Sequence, residues 1–92
     1  LLEGVLKEGQ VEDFTELCKE AYKVTRAYDG CHGINLTFNV ENNNNFVMTE
    51  TWESKEHYDK YLAFRVEEGT VELIGSQCDE GPSIRIFDIT EA

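Results

Sequence analysis

Basic residues are scarce in this chain: 8 lysines and arginines stand against 19 aspartates and glutamates, a formal net charge of −11. That balance excludes a nucleic-acid or anionic-membrane partner, because both need a basic footprint. The acidic excess reads as a solvated surface that keeps the protein soluble. Long hydrophobic runs are missing as well. No stretch approaches the roughly 18–20 apolar residues of a membrane span, and no signal-peptide pattern is present. Cysteine is limited to Cys18, Cys31 and Cys78. An odd count without a CxxC spacing excludes a disulfide framework and a zinc cluster, and reduced thiols point to the cytoplasm. The two histidines, His32 and His57, make no HxxxH pair, so no metal is expected. Ser-His-Asp logic, a phosphate loop and a dinucleotide fingerprint are all absent.

What is there suits one small domain spanning residues 1–92. Hydrophobic residues make up 40% of the chain, enough for a folded globule and too many for a disordered one. A core this small is marginal, and oligomerisation is one remedy.

The hydrophobic periodicity gives the elements. "LLEGVLK" (1–7) reads as a short strand. Val11, Phe14, Leu17, Cys18, Ala21, Tyr22, Thr25 and Tyr28 recur at three- and four-residue steps, which predicts a helix over 11–28, stopped by Asp29-Gly30. From Cys31 the period drops to two: Ile34, Leu36, Phe38 and Val40 face one way, Asn35, Thr37 and Asn39 the other. "ENNNN" (41–45) reads as a hairpin loop without chemistry, and "FVMTETWE" (46–53) as the return strand. Ser54 is a good N-cap for a second helix over 55–68, ended by Gly69. Thr70 opens a further short turn, "SQCDEGP" reads as a loop, and "SIRIFDI" (83–89) as the last strand. The order β-α-β-β-α-(α)-β resolves into an α+β, ferredoxin-like fold: a four-stranded antiparallel sheet with both long helices on one face. Acylphosphatase-like and RNA-binding proteins share this topology, but the arginine loop of the first and the aromatic-basic strand motif of the second are missing.

The helix-covered face is expected to carry Ile34, Leu36, Phe38, Phe46, Met48 and Trp52. In the last strand Ile84 and Ile86 point one way and Phe87 and Ile89 the other, so it reads as buried on both sides. A twin subunit packed sheet to sheet would cover the second face, and two-fold dimers are the commonest solution. Trp52, the only tryptophan, ends the third strand, and Tyr58, Tyr61, Leu62 and Arg65 share one face of the helix that follows. Either these rings plug a small core or they wall a pocket. Glu50 shares the face of Trp52, and a carboxylate there favours the pocket, because carboxylates are rarely buried unless paired or lining a cavity. His32 is expected on the apolar face with Ile34, lining the cavity or sitting satisfied in the core; His57, in a first helical turn, reads as a surface histidine.

These stretches, "DGCHGINLTFN", then a strand ending "ETWES", then an amphipathic helix, resemble the antibiotic biosynthesis monooxygenase family over nearly the whole chain. Gly30-Cys31 and Trp52-Glu53-Ser54 are the most recognisable marks. The resemblance implies a dimeric αβ-barrel with a cavity between sheet and helices in each subunit. It also implies a cofactor-free oxygenase that joins O₂ to a small aromatic or quinol-like substrate, the protein supplying a dry cavity and managing protons. Trp52, Tyr58, Leu36, Phe38 and Met48 would then bind substrate, and Tyr61, His32 and Glu50 would handle protons. Haem-degrading members carry a helix histidine nine or ten residues after the tryptophan, where this chain has Tyr61 and Leu62, and a first-strand asparagine that "LLEGVLK" lacks. The resemblance thus points away from haem. A non-catalytic barrel that binds a small ligand or a partner is the alternative.

Overall fold

The computed structural model describes Leu1–Ala92. The elements run β1 (Leu2–Leu6), α1 (Val11–Ala27), β2 (Cys31–Asn39), β3 (Asn42–Trp52), α2 (Lys55–Glu68), α3 (Thr70–Ser76) and β4 (Cys78–Ile84). The strands pair antiparallel in the order β2-β3-β1-β4, the ferredoxin-like arrangement. The helices cover one face. Leu2 and Leu6 of β1, Ile34 of β2, and Phe46 and Met48 of β3 are buried there against Phe14, Cys18 and Tyr22 of α1, Ile74 of α3 and Cys78 of β4. Phe14 and Phe46 meet at the centre with ring centroids 4.6 Å apart. Period-two alternation in the strands and the three- and four-residue stripe of α1 therefore bury the side chains the sequence nominates. No helix is long and apolar enough to cross a membrane.

Two elements differ from the sequence expectation. The last strand is Cys78–Ile84 and not 83–89. Residues that read as a loop, including Gly81 and Pro82, form the ladder with β1, which starts as soon as α3 ends: Leu6 faces Cys78, and the Lys7 N–H reaches the Gln77 carbonyl at 2.9 Å. Register shifts in that ladder accommodate Gly81, whose φ of +83° and close approach to β1 leave no room for a Cβ. Pro82 is tolerated because β4 lies at the sheet edge. Arg85 still exchanges backbone hydrogen bonds with Leu1, at 2.9 and 2.7 Å, and beyond it the chain leaves the sheet, so Ile86, Phe87 and Ile89 are exposed and not buried on two sides.

The second difference is the hairpin. Its turn is only Val40–Glu41, and Asn42–Asn45 already belong to β3. The asparagines hold the strands: Asn39 Nδ2 donates to Asn45 Oδ1 at 3.0 Å, and Asn45 Nδ2 donates to the Gly4 carbonyl of β1 at 3.0 Å. Side-chain amides thus stabilise a local irregularity in which Phe38 faces Phe46 while Asn39 faces Asn42.

Candidate functional site

Trp52 closes β3 where the sheet meets α2. Glu50 lies two residues earlier on the same face, and the Trp52 indole N–H donates to Glu50 Oε1 at 3.1 Å. Burial pushes the Glu50 carboxyl above the ordinary carboxylate range, and the indole bond pulls part of that back. α2 begins at once because the Ser54 Oγ accepts the His57 N–H at 3.2 Å. The chain enters that cap over Gly30, whose φ is +87° and whose missing Cβ makes room for the His57 ring. A Cβ at Gly30 would fall 2.5 Å from His57 Cδ2, so this glycine fixes how closely β2 and α2 approach.

From that start, Tyr58, Tyr61 and Arg65 turn to the interior. The Trp52 ring lies 4.8 Å from Tyr61 and 5.7 Å from Tyr58, centroid to centroid, and Tyr28 packs edge-on against both Trp52 and Tyr61. Behind this aromatic wall is a buried polar brace. Arg65 Nε donates to the Tyr61 hydroxyl at 2.7 Å, Nη2 to the Ala21 carbonyl at 2.6 Å and to Thr25 Oγ1 at 3.1 Å, and Nη1 to Glu68 at 2.7 Å. Thr25 already donates to the Ala21 carbonyl at 3.2 Å, so its oxygen accepts from Tyr61, 2.6 Å away. The Tyr61 hydroxyl is therefore occupied as both donor and acceptor. Burial raises it above the ordinary tyrosine range despite the Thr25 and Arg65 bonds.

Two voids share Glu50 and Tyr58 as walls. The first, about 40 Å³, lies between sheet and helices and is lined mostly by apolar side chains such as Leu17, Ile34, Met48 and Ile74, with Tyr22, Tyr61 and Arg65. A cavity of roughly 150 Å³ takes a benzene ring, so this one admits a tip and not a ring. The second is a groove of about 350 Å³ bounded by Trp52, Ser54, Lys55 and the tail residues Ile86 to Ile89. Its size is within the range of small-molecule sites.

The nominated residues divide accordingly. Glu50, Met48, Tyr58 and Tyr61 line the small cavity, and Trp52 lines the groove. Leu36 and Phe38 pack against the core farther along the sheet and line neither void. His32 is off the site. A register shift opposes Cys31 to Trp52 but Gly33 to Thr51, which breaks the alternation at His32. Its ring is exposed and its Nε2 lies 2.5 Å from Glu53 Oε2. His57 is held by Ser54, 2.6 Å from its Nδ1, and borders neither void. No group of three or more histidine, cysteine or carboxylate side chains is placed to hold a metal.

Tyr22, Thr25 and Arg65 are the polar residues that the sequence reading treated only as helix stripe. The available signal was the pairing of two stripes, Tyr22 and Thr25 on α1 and Tyr61 and Arg65 on α2, each with polar ends that need partners once buried.

The profile of the antibiotic biosynthesis monooxygenase family matches residues 5–80. Among solved structures, a conserved protein from Methanosarcina mazei superposes with a TM-score of 0.85 at 22% identity, over 94% of this chain and 85% of that one. A structure described as an antibiotic biosynthesis monooxygenase gives a TM-score of 0.83 at 19% identity, over 97% and 94% of the two chains. A Bordetella bronchiseptica protein, a candidate member of the same family, gives 0.73 at 18% identity, over 97% and 93%. At these identities the likeness is one of fold. No curated protein matches the sequence.

Proposed function

The chain belongs to the antibiotic biosynthesis monooxygenase family, and on that premise we propose that it is a cofactor-independent monooxygenase of a small aromatic or quinol-like substrate. The observation that carries this reading is the half-buried Glu50 carboxylate, bonded to the Trp52 indole, at the wall common to the groove and the cavity. A carboxyl raised by burial is a stronger base when ionised and suits removal of a weakly acidic proton. Trp52 and Tyr58 give the ring of the substrate two aromatic faces. Glu50 would take the proton, and the resulting carbanion would give its electrons to O₂ and form the new C–O bond. Loss of water then completes the balance: one CH₂ group and O₂ become one carbonyl group and H₂O. Proton handling rests on Glu50 in this scheme, because Tyr61 is hydrogen-bonded on both sides and His32 is turned to solvent.

The sheet face opposite the helices is uncovered within the chain, and apolar Ile86, Phe87 and Ile89 stand exposed beside the groove. We therefore propose a homodimer packed through its sheets, which would cover these residues and dry the groove. The small size of the inner cavity favours a second reading, a non-catalytic dimer that binds a small ligand.

The deciding measurement is oxygen uptake with a panel of anthrones and quinols, in the presence of a chelator. The oxygenase reading expects uptake with at least one of them, and a fall of about 100-fold or more in kcat/KM for Glu50→Gln, the scale on which a general base contributes. Ligand binding without oxygen uptake across the panel leaves the binding reading instead.

A further inference from the structure

Tyr22 is the opposite case to Tyr61. The residue is only 5% exposed and its hydroxyl is buried, yet no oxygen or nitrogen of the protein pairs with it, and the neighbouring Cys18 thiol is at best a weak partner. Buried polar groups are nearly always paired, so an orphan asks for a ligand. Its position is specific. Arg26 lies over the Tyr22 ring, 5.5 Å from its centroid, and is itself tied to the Ile34 carbonyl at 3.0 Å. The ring is thus clamped and cannot swing to another acceptor. The charged and polar groups that act on the Tyr22 hydroxyl are Cys18, Glu50 and Tyr61, and all three line the 40 Å³ cavity together with Tyr22 itself. Burial keeps that hydroxyl protonated well beyond the ordinary tyrosine range, so it acts as a donor. Across the cavity, Glu50 uses one oxygen on Trp52 and has no other hydrogen bond.

We propose that Tyr22 and Glu50 form a subsite for a hydroxyl or enol oxygen of the ligand, with the ring held in the groove and the oxygen alone entering the inner cavity. The volumes require that division, since the inner cavity admits an oxygen-sized tip and the groove of about 350 Å³ admits the ring. Tyr22 donates to the oxygen, and Glu50, on the shared wall, receives its proton. The subsite selects a planar aromatic bearing an oxygen on its leading edge over the same ring without it. A site with a buried donor discriminates strongly here, because the bare ring leaves that donor unpaired. This inference rests on the reading of groove and cavity as the substrate site, and not on turnover.

The test uses 2-naphthol and naphthalene, which share a ring system and differ by one hydroxyl, with affinities measured by calorimetry on the full chain without oxygen. Tyr22→Phe is expected to weaken 2-naphthol binding at least fivefold and to leave naphthalene within twofold. It should also keep or raise the melting temperature, because it deletes an unpaired hydroxyl and retains the ring. A crystal structure of the 2-naphthol complex should place the ligand oxygen within hydrogen-bond distance of Tyr22 Oη. Equal 2-naphthol affinities in the two proteins, a ligand oxygen bonded elsewhere, or a marked loss of stability in Tyr22→Phe each overturn the subsite. Failure of both probes to bind overturns it as well. Tyr22-dependent binding with no oxygen uptake upholds the subsite and removes only the oxygenase reading.

Discussion

Removing the Arg65 guanidinium is expected to be among the most damaging single changes in this protein. Four hydrogen bonds radiate from it, to Tyr61, Ala21, Thr25 and Glu68, and they join α2 to α1 behind the aromatic wall. Summing charged hydrogen bonds at about 1.5–3 kcal/mol each overshoots, since burying the cation itself costs stability. Glu68 is also part-exposed and regains water when its partner goes. The Tyr61 hydroxyl and Thr25 do not, being enclosed. Breaking one side of a buried network leaves such groups unpaired, and about 3–4 kcal/mol is the reasonable loss for Arg65→Ala. For a domain of this size that lowers the melting temperature by roughly 12–30 °C. Arg65→Met keeps much of the aliphatic stem and should lose about 2–3 kcal/mol, which separates bonds from packing. The assay is urea unfolding followed by far-ultraviolet circular dichroism at fixed protein concentration. Trp52 fluorescence is unsuitable, because its ring touches Tyr61. Tyr61→Phe alone should cost about 1–3 kcal/mol, and the double variant should show a coupling of about 1 kcal/mol or more. An Arg65→Met loss under about 1 kcal/mol, or strict additivity with Tyr61→Phe, would refute the brace.

Gly30→Ala should cost about 2–4 kcal/mol, from the left-handed backbone and from the clash with His57, and His57→Ala should recover most of the clash portion; chemical denaturation of the three variants checks this. Glu50 is raised by burial, so its contribution is fully favourable below the ordinary carboxylate range, near 4.3, and is lost as pH rises through the folded-state value. Glu50→Gln should therefore gain in stability relative to the parent protein from acid towards neutral pH, and a variant that instead loses ground to the parent in that direction contradicts the argument. Trp52→Phe removes the bond that holds this carboxyl down, so the same transition should move to higher pH. Sedimentation should give a mass near twice that of the 10.5 kDa chain, and truncation after Ile84 should weaken the association; a monomer at micromolar concentration rejects the sheet-to-sheet dimer.

The fold was legible where period and burial agree. The α1 stripe from Val11 to Thr25 and the alternation of Ile34, Leu36 and Phe38 each have one apolar face, so the pattern dictates both element and orientation. The errors fell where local composition and tertiary pairing disagree. Asn42–Asn45 have loop chemistry, and Asn42 does accept locally from the Asn44 N–H, but the Asn45 amide bonds across to Asn39 and to the Gly4 carbonyl and ties the segment into the sheet. Gly81 and Pro82 are breakers in isolation, yet an edge strand with shifted register tolerates both. Conversely, Ile84, Ile86, Phe87 and Ile89 look like a strand, but β1 is already paired with Cys78–Ile84 and its pairing ends at Leu1 with Arg85, so Ile86, Phe87 and Ile89 have no partner strand within the chain.

The same distinction governs the site. Glu50, Trp52, Tyr58 and Tyr61 could be brought together from sequence because a two-residue step and a helical step meet at Ser54. His32 could not be placed, because one bulged residue reverses a side chain and nothing in the local pattern announces it. Hydrogen-bond partners across elements were equally hidden. Tyr22 and Tyr61 are chemically identical in the sequence, and each lies on a buried helix stripe. Only the packing of α1 against α2 decides that Arg65 and Thr25 reach one hydroxyl and leave the other with nothing stronger than the Cys18 thiol. That difference assigns them opposite tasks. Tyr61 braces the aromatic wall, and Tyr22, in the proposed subsite, offers its hydroxyl to a ligand oxygen in the cavity.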